Sequence, residues 1–181
     1  SNEYLLVRVH DEAAAQENWN SAVLRANGDT SDNVDIPASG TLTMGRQFII
    51  RGTDVSFYIP PTGCEVVPER VGNDERFVRE AVTLERLEYC LLLDEDGNKR
   101  YVHGPAVVFP RPTEKFVEAP IKSNPDKAKA KKFRAQELTP SSGIHIRVIA
   151  DYVEDDGTER KAGDELFITG SVQTIYYPRA E

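Results

Sequence analysis

The chain repeats itself, and that repetition limits its fold more than any other property of the sequence. Gly45-Arg46-Gln47-Phe48-Ile49-Ile50-Arg51-Gly52, followed by Phe57-Tyr58-Ile59-Pro60, matches Gly163-Asp164-Glu165-Leu166-Phe167-Ile168-Thr169-Gly170, followed by Ile175-Tyr176-Tyr177-Pro178. Two glycines, a tyrosine and a proline fall at the same offsets without a gap. A shorter copy, Tyr101-Val102-His103-Gly104 then Val107-Val108-Phe109-Pro110, brings its proline two residues closer to the glycine. The residues after the prolines also recur, since Pro60 to Val67 parallels Pro110 to Val117. Such a period marks stacked copies of one supersecondary unit, none of which can bury its apolar face alone.

The unit is built of strands. Glycine permits the positive φ of tight turns, and proline ends a strand because it lacks the ladder donor. Between them lie short runs of Phe, Ile, Tyr and Val, which suit a pleated, half-buried surface. Upstream of each copy another strand is readable: Tyr4 to Val9, Tyr89 to Leu93, and Ile144 to Tyr152. Asp94 to Asn98 and Asp155 to Thr158 both carry Asp-Gly, a hairpin signal. The first copy holds residues 11–39 in place of that turn. Within this insertion Ala13 to Arg25 reads as one helix, with Ala15, Trp19 and Val23 on one face and Gly28 past its end. The polar stretch Gly28 to Gly40 reads as loop. The expected fold is mainly β: tandem small antiparallel β-sheet modules at 1–59, 60–109 and 110–181, with one inserted helix in the first and a basic linker at 122–134 in the third.

Composition excludes several functions. Net charge is −8 and charged residues make up 29%, which opposes general affinity for nucleic acid or anionic membrane. No apolar run approaches the roughly 20 residues of a membrane span. The two cysteines, Cys64 and Cys90, form neither a CxxC pair nor a disulfide framework, which favours a reducing, cytoplasmic setting. Ser1-Asn2 reads as the scar of a cleaved tag, and the hand-over begun at Pro178-Arg179 reads as the start of a further repeat beyond Glu181.

No catalytic constellation accompanies His10, His103 and His145: HExxH, GxSxG and a Gly-rich phosphate loop are all missing. A cleft gathering His103 or His145 with carboxylates is what chemistry would require. Asp94 to Asn98 fails the calcium-loop pattern, with its glycine at the wrong offset and no twelfth-position Glu. No cofactor is expected. The basic run from Lys122, with Lys127, Lys129, Lys131, Lys132 and Arg134, reads as an exposed linker. It is the candidate contact for RNA or an acidic partner, although only Phe133 offers it a stacking surface. Trp19 packs the inserted helix onto its module or anchors a partner.

Leu138-Thr139-Pro140 through Ile144-His145-Ile146-Arg147-Val148, then Asp155-Asp156-Gly157, Ala162-Gly163-Asp164-Glu165-Leu166-Phe167 and Tyr177-Pro178, resembles the vault repeat of the major vault protein family and its bacterial relatives. The resemblance implies a small antiparallel sheet per module, stacked into a rod-like subunit. In that family many subunits stand side by side as the wall of a self-assembling ribonucleoprotein particle. The expected function is therefore a non-catalytic structural segment whose partner is itself, with a protein- or RNA-binding β-module as the alternative. The 11–39 insertion departs from the usual repeat, and the shoulder and cap-helix segments of the family have no counterpart in these residues.

Overall fold

The computed structural model describes residues 1–26, 35–119 and 130–181. The first module runs β1 (Glu3–Val9), α1 (Glu12–Asn18), β2 (Val23–Ala26), β3 (Gln47–Arg51) and β4 (Val55–Ile59). A connecting segment carries β5 (Cys64–Val66), β6 (Glu69–Val71), β7 (Asp74–Arg76) and β8 (Arg79–Glu80). The second module is β9 (Val82–Leu84), β10 (Glu88–Leu93), β11 (Lys99–His103) and β12 (Ala106–Val108), followed by the connecting strands β13 (Lys115–Phe116) and β14 (Phe133–Arg134). The third is β15 (Gln136–Glu137), β16 (Gly143–Arg147), β17 (Tyr152–Val153), β18 (Glu159–Arg160), β19 (Glu165–Thr169) and β20 (Ile175–Tyr176). The molecule is mainly β, a set of small antiparallel sheets with one short α-helix among the described residues.

One hydrogen-bond register occurs three times. Tyr4 opposes Arg51 between β1 and β3, Tyr89 opposes His103 between β10 and β11, and Gly143 opposes Thr169 between β16 and β19. In each case the next residue is the closing glycine, whose N–H donates to the carbonyl just before the first pair. Gly52 donates to Glu3 at 2.7 Å, Gly104 to Glu88 at 2.8 Å and Gly170 to Ser142 at 2.9 Å. The strand before each closing proline then pairs away from this ladder. β12 lies against β9 and β20 against β15, both partners coming from just upstream of the module's first strand. β4 lies instead against β2, which comes from the insertion.

The two glycines of the repeat serve different ends. Gly45 and Gly163 have φ of +78° and +98°, the left-handed region expected of turn glycines. The closing glycines do not. A Cβ on Gly104 or Gly170 would lie 2.0 Å from the carbonyl oxygen of Glu85 or Thr139. Those glycines are required because another stretch of backbone crosses them, which sequence alone attributes to φ.

The inserted helix is shorter than its apolar spacing predicts. α1 ends at Asn18, a 3-10 turn covers Trp19–Ser21, and Val23 and Arg25 lie on a strand, not on the helix. Side chains that compete for backbone mark the stop: Asn18 donates to the Ala14 carbonyl and Ser21 to the Asn18 carbonyl. The edge of β4 then takes β-branched Val23 into a ladder, and this tertiary pairing overrides the helical periodicity. At the other end Asp11 accepts from the Ala14 N–H, a side-chain cap. Residues 28–34 of the expected loop lie outside the described residues. The strand expected from Ile144 to Tyr152 also divides. β16 stops at Arg147, and the Asp155–Thr158 turn closes a separate small hairpin of β17 and β18. The Asp94–Asn98 turn joins β10 directly to β11.

Pairing also crosses the division points at 59/60 and 109/110. β5 and β8 lie on the edge of β1 opposite β3, and β13 and β14 lie on the matching edge of β10. Each of these two sheets is thus finished by chain beyond its own closing proline. The first core gathers Val7, Val9, Phe48, Ile50, Val55 and Cys64 with Ala15, Trp19 and Leu42 from the insertion and its flank. The second gathers Val82, Leu84, Cys90, Leu92 and Val108.

Candidate functional site

Side chains alternate along a strand, so Lys99, Tyr101 and His103 share one face of β11. The segment 177–181 of the third module lies across that face. The His103 imidazole stacks on the Tyr177 ring, with centroids 3.7 Å apart and planes within 6°. Tyr89 from the neighbouring strand meets Tyr177 edge-on at 5.7 Å and donates its hydroxyl hydrogen to the Pro178 carbonyl at 2.5 Å. The Arg179 guanidinium lies 5.1 Å from the Tyr101 ring and 5.5 Å from Tyr152, and donates to Asp155 at 3.0 Å. Glu181 accepts from Lys99 at 2.6 Å and from the Tyr101 hydroxyl at 3.0 Å. Aromatic pairs of this kind contribute about 0.5–1.5 kcal/mol each beyond area burial. Together these contacts join the second and third modules.

The same joint connects the first two modules. Tyr4, Arg51 and Phe109 occupy the places of Tyr89, His103 and Tyr177 in the shared register. Tyr4 meets Phe109 edge-on at 6.1 Å, and the Arg51 guanidinium lies 5.7 Å from the Phe109 ring. His103 therefore stands where the other joint uses an arginine on an aromatic face. In the sequence Tyr89, Phe109, Tyr177 and Arg179 mark only strands and repeat ends, with no sign that they meet. The available signal was the aromatic that directly precedes the closing proline in two copies, Phe109-Pro110 and Tyr177-Pro178.

A cleft opens beside each joint. The one between the second and third modules holds about 770 Å³ and is walled by Tyr101, His103, Ile146, Leu166, Ile168 and Arg179. The smaller, of about 310 Å³, borders Arg46, Ile49, Arg51, Phe109 and Arg111. The larger does bring His103 near Glu154, Asp155, Asp156 and Glu181, the gathering that chemistry would require. These carboxylates are already engaged. Asp155 binds Arg179, Glu154 binds Arg160, Asp156 accepts from the Thr158 N–H and Glu181 holds Lys99. Burial, with Arg179 nearby, holds the His103 imidazole below its ordinary value against the pull of Asp155. What His103 touches is ring faces. The thiols lie elsewhere: Cys64 and Cys90 are buried in the two cores, and burial pushes Cys90 up to about 11. A thiol so protonated is a poor nucleophile. Among the described residues no three His, Cys, Asp or Glu side chains gather as a metal site.

The residues singled out as partner contacts fall in separate places. Lys127 and Lys129 lie outside the described residues. Lys131 places its ammonium 5.8 Å from the Phe116 ring, and Lys132 binds Glu88 at 2.9 Å. Arg134 is exposed on β14, opposite Glu88. Trp19 is buried in the first core, edge-on to Phe48 at 5.7 Å, where its ring fastens α1 to the sheet. His145 is exposed, 3.5 Å from Glu165. No described helix is long and apolar enough to cross a membrane. No model of a known protein family matches the chain, and no curated protein matches it.

Proposed function

We propose that the chain is a structural repeat segment of a vault-like, self-assembling protein particle of the cytoplasm, non-catalytic, whose modules pack side by side with those of neighbouring subunits. The observation that carries this is the thrice-repeated register with its closing-glycine bond, joined by two copies of one aromatic joint. Modules finished by the next module's chain and locked at their joints form a stiff array, as a wall element requires. An outer face supports lateral packing. On the β2–β4 ribbon Val23 opposes Ile59, with Phe57 two residues along on the same face, and all three are about half exposed. Val107, at the place of Phe57 in the second module, is exposed too. A row of apolar side chains at one position of successive modules suits a second copy of the same row.

Negative-stain imaging and light scattering over a concentration series test this. Ordered, side-by-side assemblies that are lost on Phe57→Glu with Ile59→Glu are expected. Globular monomers at every concentration would overturn it.

A further inference from the structure

The two joints settle their charges differently. At the second, Arg179 directly follows the closing proline, and the chain itself supplies its counter-charge. Its guanidinium faces the Tyr101 and Tyr152 rings and donates at 3.0 Å to Asp155, on the turn of the β17–β18 hairpin. Arg111 follows the closing proline of the first joint in the same way. The second module has no matching hairpin, because its Asp94–Asn98 turn joins β10 directly to β11. Among the described residues one carboxylate lies within ion-pair distance of Arg111, that of Glu114 at 4.0 Å. Arg100 already grips it through bonds of 2.8 and 2.5 Å.

Arg111 shares the 310 Å³ cleft with Arg46 and Arg51, and the one carboxylate bordering it among the described residues is Asp35, 3.6 Å from Arg51. Three arginines against one aspartate leave an excess of positive charge, in a chain whose net charge is −8. A cleft lined by one sign of charge focuses its field on what enters. The complementary group lies on the same chain. At the Asp94–Asn98 turn the Asp94 carboxylate is spent on the turn itself, accepting from the N–H groups of Asp96 at 3.0 Å and Asn98 at 2.8 Å. Glu95 and Asp96 are exposed, and among the described residues no cation meets their carboxylates. Cleft and turn both belong to the first two modules.

We propose that the cleft between the first and second modules receives the Asp94–Asn98 turn of a second copy of this chain. The Glu95 and Asp96 carboxylates then stand against Arg111 and Arg51, as Asp155 stands against Arg179 within the chain. Each copy offers one turn and one cleft, so the contact is heterologous and propagates from copy to copy. It rests on the self-assembly proposed above and names the groups that set neighbours in register. The apolar row on the β2–β4 ribbon supplies area, whereas paired charges select the partner and its position.

The test follows self-association of the full chain by sedimentation velocity, using charge reversals at exposed positions. Arg111→Glu alone and Asp96→Lys alone should each weaken association about tenfold, with thermal melts unchanged. An equimolar mixture of the two variants should recover it, because native cleft meets native turn and reversed cleft meets reversed turn. Association weakened by both changes but not recovered on mixing would overturn the docking, as a general effect of charge. Association indifferent to both reversals yet lost on Phe57→Glu with Ile59→Glu would overturn the docking and leave the particle standing. Recovery on mixing, with irregular chains in place of ordered side-by-side assemblies, would support the docking and overturn the particle. Monomers of the unaltered chain at every concentration would overturn both.

Discussion

Replacing Gly170 with alanine places a methyl group where backbone already runs. The new Cβ would lie 2.0 Å from the Thr139 carbonyl oxygen and 2.6 Å from its carbon, and real Cβ contacts are hardly ever shorter than 3.0 Å. The carbonyl must therefore retreat by about 1 Å, the difference between those separations. It is not free to do so, because the Ser142 N–H and hydroxyl bind it at 2.9 and 3.0 Å. An overpacked site of this kind costs about 1–3 kcal/mol, and loosening one of these bonds adds about 1 kcal/mol. The expected loss is about 2–4 kcal/mol, or roughly 4–15 °C in Tm for a chain of this size. Two other glycines serve as controls. Gly40 has no atom within 4 Å of its would-be Cβ and no positive φ, so Gly40→Ala should be neutral or stabilise by up to about 1 kcal/mol. Gly163 is equally open but sits at φ +98°, so Gly163→Ala should cost about 1–2 kcal/mol through backbone strain alone. Thermal melts by circular dichroism give the order, and amide exchange on β16 and β19 locates the loss. Gly170→Ala within about 0.5 kcal/mol of Gly40→Ala would refute the crossing-backbone account, since surface-like tolerance spans that range.

Leu92 is fully buried in the second core, so Leu92→Ala should cost about 2–5 kcal/mol, with faster exchange concentrated in β9 to β13. The Arg100 guanidinium, by its hydrogen bond, holds the Glu114 carboxyl below its ordinary value of 4.5 against the opposing effect of burial. A carboxylate depressed in the folded state contributes stability that is complete above its unfolded pKa and is lost as pH falls through the lower folded value. Glu114→Gln should therefore flatten the acid limb of the stability curve below about pH 5 and lower the plateau at neutral pH, as urea melts at several pH values would show. Lys131 and Lys132 already face Phe116 and Glu88, so Lys131→Glu with Lys132→Glu should leave binding of single-stranded RNA unchanged at any salt concentration. A steep salt dependence abolished by that pair of changes would instead support the RNA-binding alternative.

Much of the architecture was legible because strands announce themselves locally. Alternating Phe, Ile, Tyr and Val between fixed glycines and prolines specified small antiparallel sheets, and the matched offsets of Gly45, Gly52 and Pro60 with Gly163, Gly170 and Pro178 specified that they were copies. What depends on a distant partner was not legible. Val23 belongs to a strand because β4 offers it an edge, and no local pattern encodes that offer. The joints have no local signature for a similar reason. His103 and Tyr177 lie far apart in the chain, and their stacking exists only once two modules are set at a fixed angle. The closing glycines make the contrast sharpest. Sequence marks them as positions where glycine recurs in each copy. Only the folded chain, bringing the Glu85 and Thr139 carbonyls against Gly104 and Gly170, decides that the reason is lack of space and not the sign of φ.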